Sequence, residues 1–412
     1  MAPVIGIIAD DFTGAVMVAG MLEGLGVHSP VLFHPDGAAG AGGAALIAAA
    51  RSRTVPVEQA LTEIAALHAA LTAAGCARIA YKACASFDST AQGNIGPAAD
   101  FLADKAGRRP VLLSAGFPRF GATVHQGYLF YRNRLVSDSI KRLDPLTPME
   151  DPDLVRFLGR QTPHGFSLIN HATLHLGLPA ARTALQALVQ TGVGHVLLDA
   201  SDDDDVAVSA DLATGLDLPV VASDPLIVAL TQRLAAGAPP APPVPPAPTG
   251  PVAVLAGSTG PVVMAHLAAF RAQHPVLTLD LSHPQGAPAL VAEALDWAAA
   301  QRGPFAVSTA TDAEGLARSQ AMHGPLGAAR LAEAVLAGVA AGLHARGIRR
   351  FVVAGGETSG AVVAALGLTR ARALPEGRLG LGQCVADGDA PLWLFLKPGK
   401  LGAEDVLLQA VA

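Results

Sequence analysis

Three cysteines in 412 residues (Cys76, Cys84 and Cys384) are too few for a disulfide framework, and none stands in a CxxC pair that would suit structural zinc. They read as small buried hydrophobes. Aromatic residues make up only 4%, so the 51% hydrophobic content is mostly small and aliphatic. A basic excess is missing too. With 28 Lys+Arg against 34 Asp+Glu, the net charge of -6 leaves nothing to neutralise a phosphate backbone, and nucleic acid is not an expected partner. Charged residues are 15% and mean hydropathy is +0.41, a balance that excludes disorder over most of the chain. No basic n-region precedes the apolar stretch 4–9, which is itself too short for a signal h-region. No uncharged apolar run of transmembrane length with the right flanks occurs, so a cytoplasmic protein without a membrane partner is expected. Also absent are G-x-x-x-x-G-K-[ST], a G-x-G-x-x-G following a strand, and a G-x-S-x-G nucleophile elbow. A nicotinamide dehydrogenase is thereby disfavoured.

At about 150 residues per domain the length predicts two or three domains. Residues 238–249 hold seven prolines in twelve positions. Proline lacks an amide hydrogen and fixes φ, so this stretch reads as a polyproline II spacer. It divides a domain at 1–237 from one at 250–412 and would let the two close on their ligands. Apolar strand candidates stand at 4–9, 30–33, 45–49, 78–82, 111–115, 166–169 and 195–199, then at 252–256, 276–279, 305–308, 351–354 and 392–396. Helical patterns lie between them, at 14–25, 57–74, 95–107, 179–191 and 225–236, then at 261–272, 288–301, 326–346, 358–366 and 403–410. Continuous apolar strands separated by helices predict an α/β protein of two domains, each a mainly parallel sheet with helices on both faces. In such folds ligands bind beyond the carboxyl ends of the strands.

The first strand ends in Asp10-Asp11-Phe12-Thr13-Gly14. One of Asp11 and Thr13 suffices to cap a helix, which leaves a carboxylate in want of a hydroxyl-rich or metal-phosphate ligand. The fourth strand ends in Lys82, followed by Ser86, Asp88, Ser89, Thr90, Gln92 and Asn94, a suitable lining for a small polyol acid. Helix capping explains only one or two of these groups. A third polar segment, Thr123 to Phe130 with Gln126 inside it, reads equally as a ligand loop or a β-hairpin. Toward the carboxyl end, Gly355-Gly356-Glu357-Thr358-Ser359-Gly360 stands between a buried strand and a helix, and Gly257-Ser258-Thr259-Gly260 repeats that logic. Paired glycines admit close backbone approach, and a helix N-terminus favours an anion, so the two loops together predict a phosphate-binding crevice. Asp202 to Asp205 reads as a solvated helix end. His171 and His175 are four apart, but no carboxylate motif surrounds them.

Taken together, these blocks resemble the four-carbon acid sugar kinase family. I-A-D-D-F-T-G-A is matched by Ile8 to Ala15 and G-G-E-T-S-G-A by Gly355 to Ala361, and the resemblance spans essentially the whole chain. Ser86 to Pro97, Gly127 to Phe130 and Pro145 to Met149 are similar to its 3-oxo-tetronate branch. The resemblance implies an ATP- and Mg2+-dependent kinase that phosphorylates the terminal hydroxyl of a four-carbon acid sugar, with 3-oxo-tetronate going to its 4-phosphate. D-threonate or D-erythronate as substrate, or a non-catalytic sugar-acid or nucleotide sensor, are the alternatives. It further implies that the N-terminal domain holds the acid and the C-terminal domain ATP. On that basis Asp10, Asp11, Lys82 and Asp88 are assigned to catalysis, with the general base from the Asp10/Asp11 pair. Thr13, Ser86, Ser89, Gln92, Asn94 and Gln126 are assigned to the acid. Gly257, Ser258, Ser308, Gly355, Gly356, Glu357, Thr358, Ser359, Gly399 and Gly402 are assigned to the nucleotide. Three departures stand out. Met17 replaces an aspartate of T-G-A-T-D, Ala122 replaces the arginine of G-R-T, and Lys397 to Gly402 alters K-S-G-N-F-G. They imply altered specificity or weakened activity. A homodimer is left open.

Overall fold

The computed structural model describes residues 2–144, 146–257, 260–282, 286–386, 391–397 and 402–412. Its contacts divide into two compact units. One comprises the chain up to Val18 and Leu25–Ala241, the other Ala19–Gly24 and Pro242–Ala412. Residues 238–249 carry no helix or strand.

In the first unit the strands are β1 (Ile5–Ala9), β2 (Val31–Leu32), β3 (Ala45–Ala49), β4 (Ile79–Lys82), β5 (Val111–Ser114), β6 (Ala122–His125), β7 (Tyr128–Tyr131), β8 (Arg134–Leu135), β9 (Phe166–Ile169), β10 (His195–Leu198) and β11 (Val220–Ala222). Eight form a parallel sheet in the order β2-β3-β1-β4-β11-β5-β10-β9. β6, β7 and β8 make a separate antiparallel sheet, so the hairpin reading of residues 123–130 is realised. Every residue of β1 and β3 is buried, as a parallel sheet covered on both faces requires. Gly6 serves this packing. A Cβ there would come within 3.0–3.3 Å of Leu71 and Cys76, so its absence lets the helix Val57–Ala73 and the turn after it lie close on the sheet. From β1 the chain runs to one side through β2 and β3, then crosses to β4 on the other. The crevice between β1 and β4 is the topological switch point, where such folds hold ligands.

The second unit contains β12 (Val252–Ala256), β13 (Val276–Thr278), β14 (Phe305–Ser308), β15 (Arg350–Ala354), β16 (Arg370–Ala373), β17 (Gln383–Ala386) and β18 (Leu392–Lys397). Their order is β13-β14-β12-β15-β18-β17-β16, with the first five parallel and the last two antiparallel. Here the switch point lies between β12 and β15. The expected α/β architecture is therefore present, with short strands added that the sequence pattern passed over: β11, β16 and β17.

Among the described residues one helix, Ala313–Ala345, is long and apolar enough by length and composition to cross a membrane. Glu314, Arg318, Arg330 and Glu333 interrupt it, so it is not an uncharged apolar run. Its backbone breaks at Gly324 (φ 70, ψ 162) beside Pro325. Beyond the break Val335, Leu336, Val339, Ala340 and Leu343 are buried, the stripe of a core-packing helix.

Candidate active site

Hydrogen-bond register aligns five strand ends of the first unit in one row: Ala49, Ala9, Lys82, Ala222 and Ser114. Every polar group just beyond these positions therefore opens on the same edge. Arg53 comes from beyond β3, Asp10 and Asp11 from β1, Lys82 from the last position of β4, and Asp224 from beyond β11.

Arg53 binds both members of the aspartate pair. Its Nε donates to Asp10 Oδ2 at 2.8 Å and its Nη2 lies 2.7 Å from Asp11 Oδ2. Asp11 Oδ1 also accepts from the Gly14 amide at 2.5 Å, and Asp10 Oδ2 from the Cys84 amide at 3.2 Å. Asp11 is thus both a turn cap and a member of the charged cluster. Burial alone would raise its carboxyl, but Arg53, Lys82 and the Gly14 amide outweigh it and hold the group below its ordinary value. Lys82, 2% exposed, places Nζ 3.7 Å from Asp10 Oδ1 and 3.7 Å from Asp224 Oδ2. Burial by itself would lower this amine, yet Asp224, Asp10 and Asp11 raise it above its usual range. Lys82 is a permanent cation. Asp224 is shifted opposite to Asp11. Burial raises its carboxyl, and Lys82 offsets this only in part.

Around this centre the expected lining is bonded largely to protein. Ser86 Oγ donates to Asp88 Oδ1 at 2.7 Å, and Lys141 Nζ donates to Asp88 Oδ2 at 2.7 Å. The Asp88 amide in turn donates to Cys84 Sγ. Cys84 therefore differs from the small-hydrophobe expectation. Cys76 and Cys384 are buried, whereas Cys84 is half-buried beside the charged cluster, its thiol pushed up to about 12 by burial first and Asp88 second. Asn94 does not cap its helix with its side chain. Its Nδ2 instead donates to the carbonyls of Ser52 and Val55, at 2.6 and 2.8 Å, clamping the segment that carries Arg53. Ser89 Oγ accepts from Gln161 Nε2, Thr13 is buried, and Gln92 is exposed. Gln126 stands apart in the turn between β6 and β7. Its amide and that of Gly127 donate to Asp199, and its Oε1 accepts from Asn170. Met17 and Ala122 are both buried.

Arg53, Asp224 and Lys141 escaped the sequence reading. Arg53 follows a recognised strand, and the rule of searching beyond carboxyl ends reaches it. Asp224 was hidden because β11 is only three residues long. The reading of 202–205 as solvated needs correction as well. Asp202 caps a helix through the Asp205 amide, but Asp205 is 1% exposed and lies 3.0 Å from His171 Nδ1. His171 does have a carboxylate, brought from another strand end by the parallel sheet.

In the second unit register again lines up four ends: Ser308, Ala256, Ala354 and Lys397. Gly355 (φ 128, ψ 134) turns the chain out of β15 into the helix Gly356–Ala365, with Glu357 in its first turn. A Cβ on Gly257 would fall 2.2 Å from Thr358 Oγ1, so the loop after β12 meets the start of this helix only because position 257 has no side chain. Ser359 Oγ donates to the Gly355 carbonyl at 2.7 Å. Ser308 is fully buried, its hydroxyl donating to the Ala256 carbonyl and accepting from the Ala310 amide. Gly402 adopts φ 107. Ser258 and Gly399 lie outside the described residues. An edge of glycine backbone at a switch point, ending in a helix N-terminus, fits a polyphosphate.

Two family models match the chain in succession. Residues 5–230 match the model of a sugar-binding N-terminal domain, and residues 253–407 that of a nucleotide-binding C-terminal domain. The 3-oxo-tetronate kinase of Methylobacterium radiotolerans is 38% identical, covering 100% of this chain and 99% of its own. That of Burkholderia multivorans is 37% identical over 99% of this chain and 97% of its own. A Salmonella typhimurium LT2 crystal structure superposes with a TM-score of 0.81 at 31% identity, over 98% of each chain. With two domain models in order and full-length relatives above 30% identity, the chain belongs to the four-carbon acid sugar kinase family.

Proposed function

We propose that this protein is an ATP-dependent 3-oxo-tetronate kinase, transferring the γ-phosphoryl group to the terminal hydroxyl of the acid to give the 4-phosphate. The observation that carries this reading is the full-length identity, 31–38%, to relatives bearing that name. Phosphoryl transfer asks a protein chiefly for positioning and charge stabilisation. ATP would supply the phosphoryl group, and Mg2+ would neutralise part of the charge on its phosphates. The backbone of Gly257, Gly355 and Gly356 and the first turn at Thr358 and Ser359 would hold those phosphates. In the first unit Lys82 is a fixed positive charge for the acid's carboxylate or the moving phosphoryl group. Arg53 orients Asp10 and Asp11 and helps hold the Asp11 carboxyl below its ordinary value. The Asn94 clamp and the Asp88–Lys141 pair stiffen the two loops that flank them.

Met17 and Ala122 favour a second reading, a kinase retuned toward D-threonate or D-erythronate or one reduced to binding. ADP release measured with Mg-ATP and each of the three acids separates these readings. Turnover highest with 3-oxo-tetronate supports the proposal. A preference for another acid replaces the substrate, and a folded chain that binds an acid without turnover is a sensor.

A further inference from the structure

Three carboxylates surround Lys82, and they differ in the donors they hold. Asp10 accepts from the Arg53 guanidinium and the Cys84 amide, and Asp11 from Arg53 and the Gly14 amide. Asp224, 3% exposed, has no guanidinium partner, its own backbone amide as its amide donor, and Lys82 Nζ at 3.7 Å, beyond hydrogen-bond reach. Among the described residues Asp224 Oδ1 and Asp10 Oδ1 are both buried without a hydrogen-bond partner, and the Lys82 amine lies 3.7 Å from each carboxylate. Buried polar atoms left in this state mark a place for a missing group. A hydroxyl suits it, because it donates to a carboxylate while accepting from an ammonium.

We infer that Asp224 is the general base of the reaction, taking the proton of the acceptor hydroxyl while Lys82 Nζ holds that oxygen. This deepens the kinase reading above and rests on it. The hydroxyl oxygen forms a bond to the γ-phosphorus as the bond from that phosphorus to the β–γ bridging oxygen breaks, releasing ADP. The hydroxyl proton passes to Asp224 and leaves to solvent after the product departs. Asp11, bonded to Arg53 and the Gly14 amide, is the weaker base, and Asp10, held through Oδ2 by Arg53 and the Cys84 amide, keeps the site's shape. The raised Asp224 carboxyl and the lowered Asp11 carboxyl agree with this division.

The test compares wild type, D224N and D224E by steady-state kinetics with Mg-ATP and whichever of 3-oxo-tetronate, D-threonate and D-erythronate wild type uses best. D224N should lower kcat by about 10²–10⁴-fold, the usual contribution of a general base, with both KM values within about threefold. D224E should keep measurable turnover with the acidic limb of its kcat profile displaced. The groups facing position 224 in that profile are Lys82, Asp10 and Asp11, with Arg53 behind them. Calorimetric titration of D224N with the acid separates lost catalysis from lost folding, since a variant that fails to fold fails to bind. For such a variant, D224E decides alone. A D224N that binds and turns over within threefold of wild type overturns the assignment, as does one that loses acid KM at unchanged kcat. A D224E with an unmoved profile overturns it too. A wild type that is folded, binds ATP and phosphorylates none of the acids overturns the kinase reading, and this inference with it.

Discussion

Arg53 satisfies two buried carboxylates with one guanidinium, so its loss leaves two charges stranded rather than one pair broken. Removing one partner of a buried pair typically costs about 3–5 kcal/mol. Arg53→Met is therefore expected to lower stability at pH 7 by about 3 kcal/mol, read from urea denaturation. The deficit should narrow as pH falls below the ordinary carboxylate value, because Asp11 is depressed in the native protein. Its contribution is present above that value and lost as pH falls through the lowered one. A deficit under about 1 kcal/mol, or one that widens in acid, contradicts the clamp. His266 in the second unit also makes stability fall in acid, by a different route. It is buried, and burial first and the Lys397 charge second push it down to about 4. The unfolded chain binds that proton more readily, so the stabilisation is complete above about 6.5 and declines as pH drops toward 4, by up to roughly 3 kcal/mol. His266→Asn should flatten this part of the stability–pH curve, and an unchanged curve excludes His266 as its source. Residue identities at the site were only half legible in the sequence. Adjacent carboxylates at a strand end are conspicuous, whereas a lone arginine or aspartate acquires meaning only when parallel register brings its strand end into the row.

At the scale of elements, register and one glycine shape the charged cluster around Lys82. A Cβ on Gly14 would lie 2.1 Å from Lys82 Nζ and 2.6 Å from Asp11 Oδ1. The helix start after β1 thus touches the charged cluster through bare backbone. Gly14→Ala is expected to displace the Lys82 amine and lower kcat at least tenfold while ATP affinity, measured by calorimetry, stays within twofold. Equal loss of both would show that the substitution acts through the fold instead. Long apolar strands and helices were readable from periodicity because burial on both faces leaves an unbroken apolar run, and β3, β9, β12 and β14 coincide with their expected bounds. β11, β16 and β17 were not. Three or four residues carry no periodicity, and β16 reads Arg370-Ala371-Arg372-Ala373, a pattern of arginines that owes its strand form to pairing with β17. The first half of Ala313–Ala345 was missed for a related reason. Gly324-Pro325 reads as a helix stop, yet the chain resumes its helix on the far side.

Each unit carries its row of strand ends at the switch point of a parallel sheet, a charged row in the first and a glycine-lined row in the second. The two-domain α/β architecture was legible because both sheets announce themselves as apolar strands alternating with helices. The substrate was legible only through resemblance, since a lysine, an arginine and three carboxylates suit many hydroxy acids. The substrate and the site of phosphorylation are therefore what a measurement should address. The most direct one is the phosphorus-31 NMR spectrum, with proton coupling, of the product formed from 3-oxo-tetronate and Mg-ATP. One phosphomonoester coupled to the two protons on C4, appearing with ADP in equal amounts, is expected. A phosphate coupled to the single proton on C2, or ATP consumed without any phosphorylated acid, would contradict it.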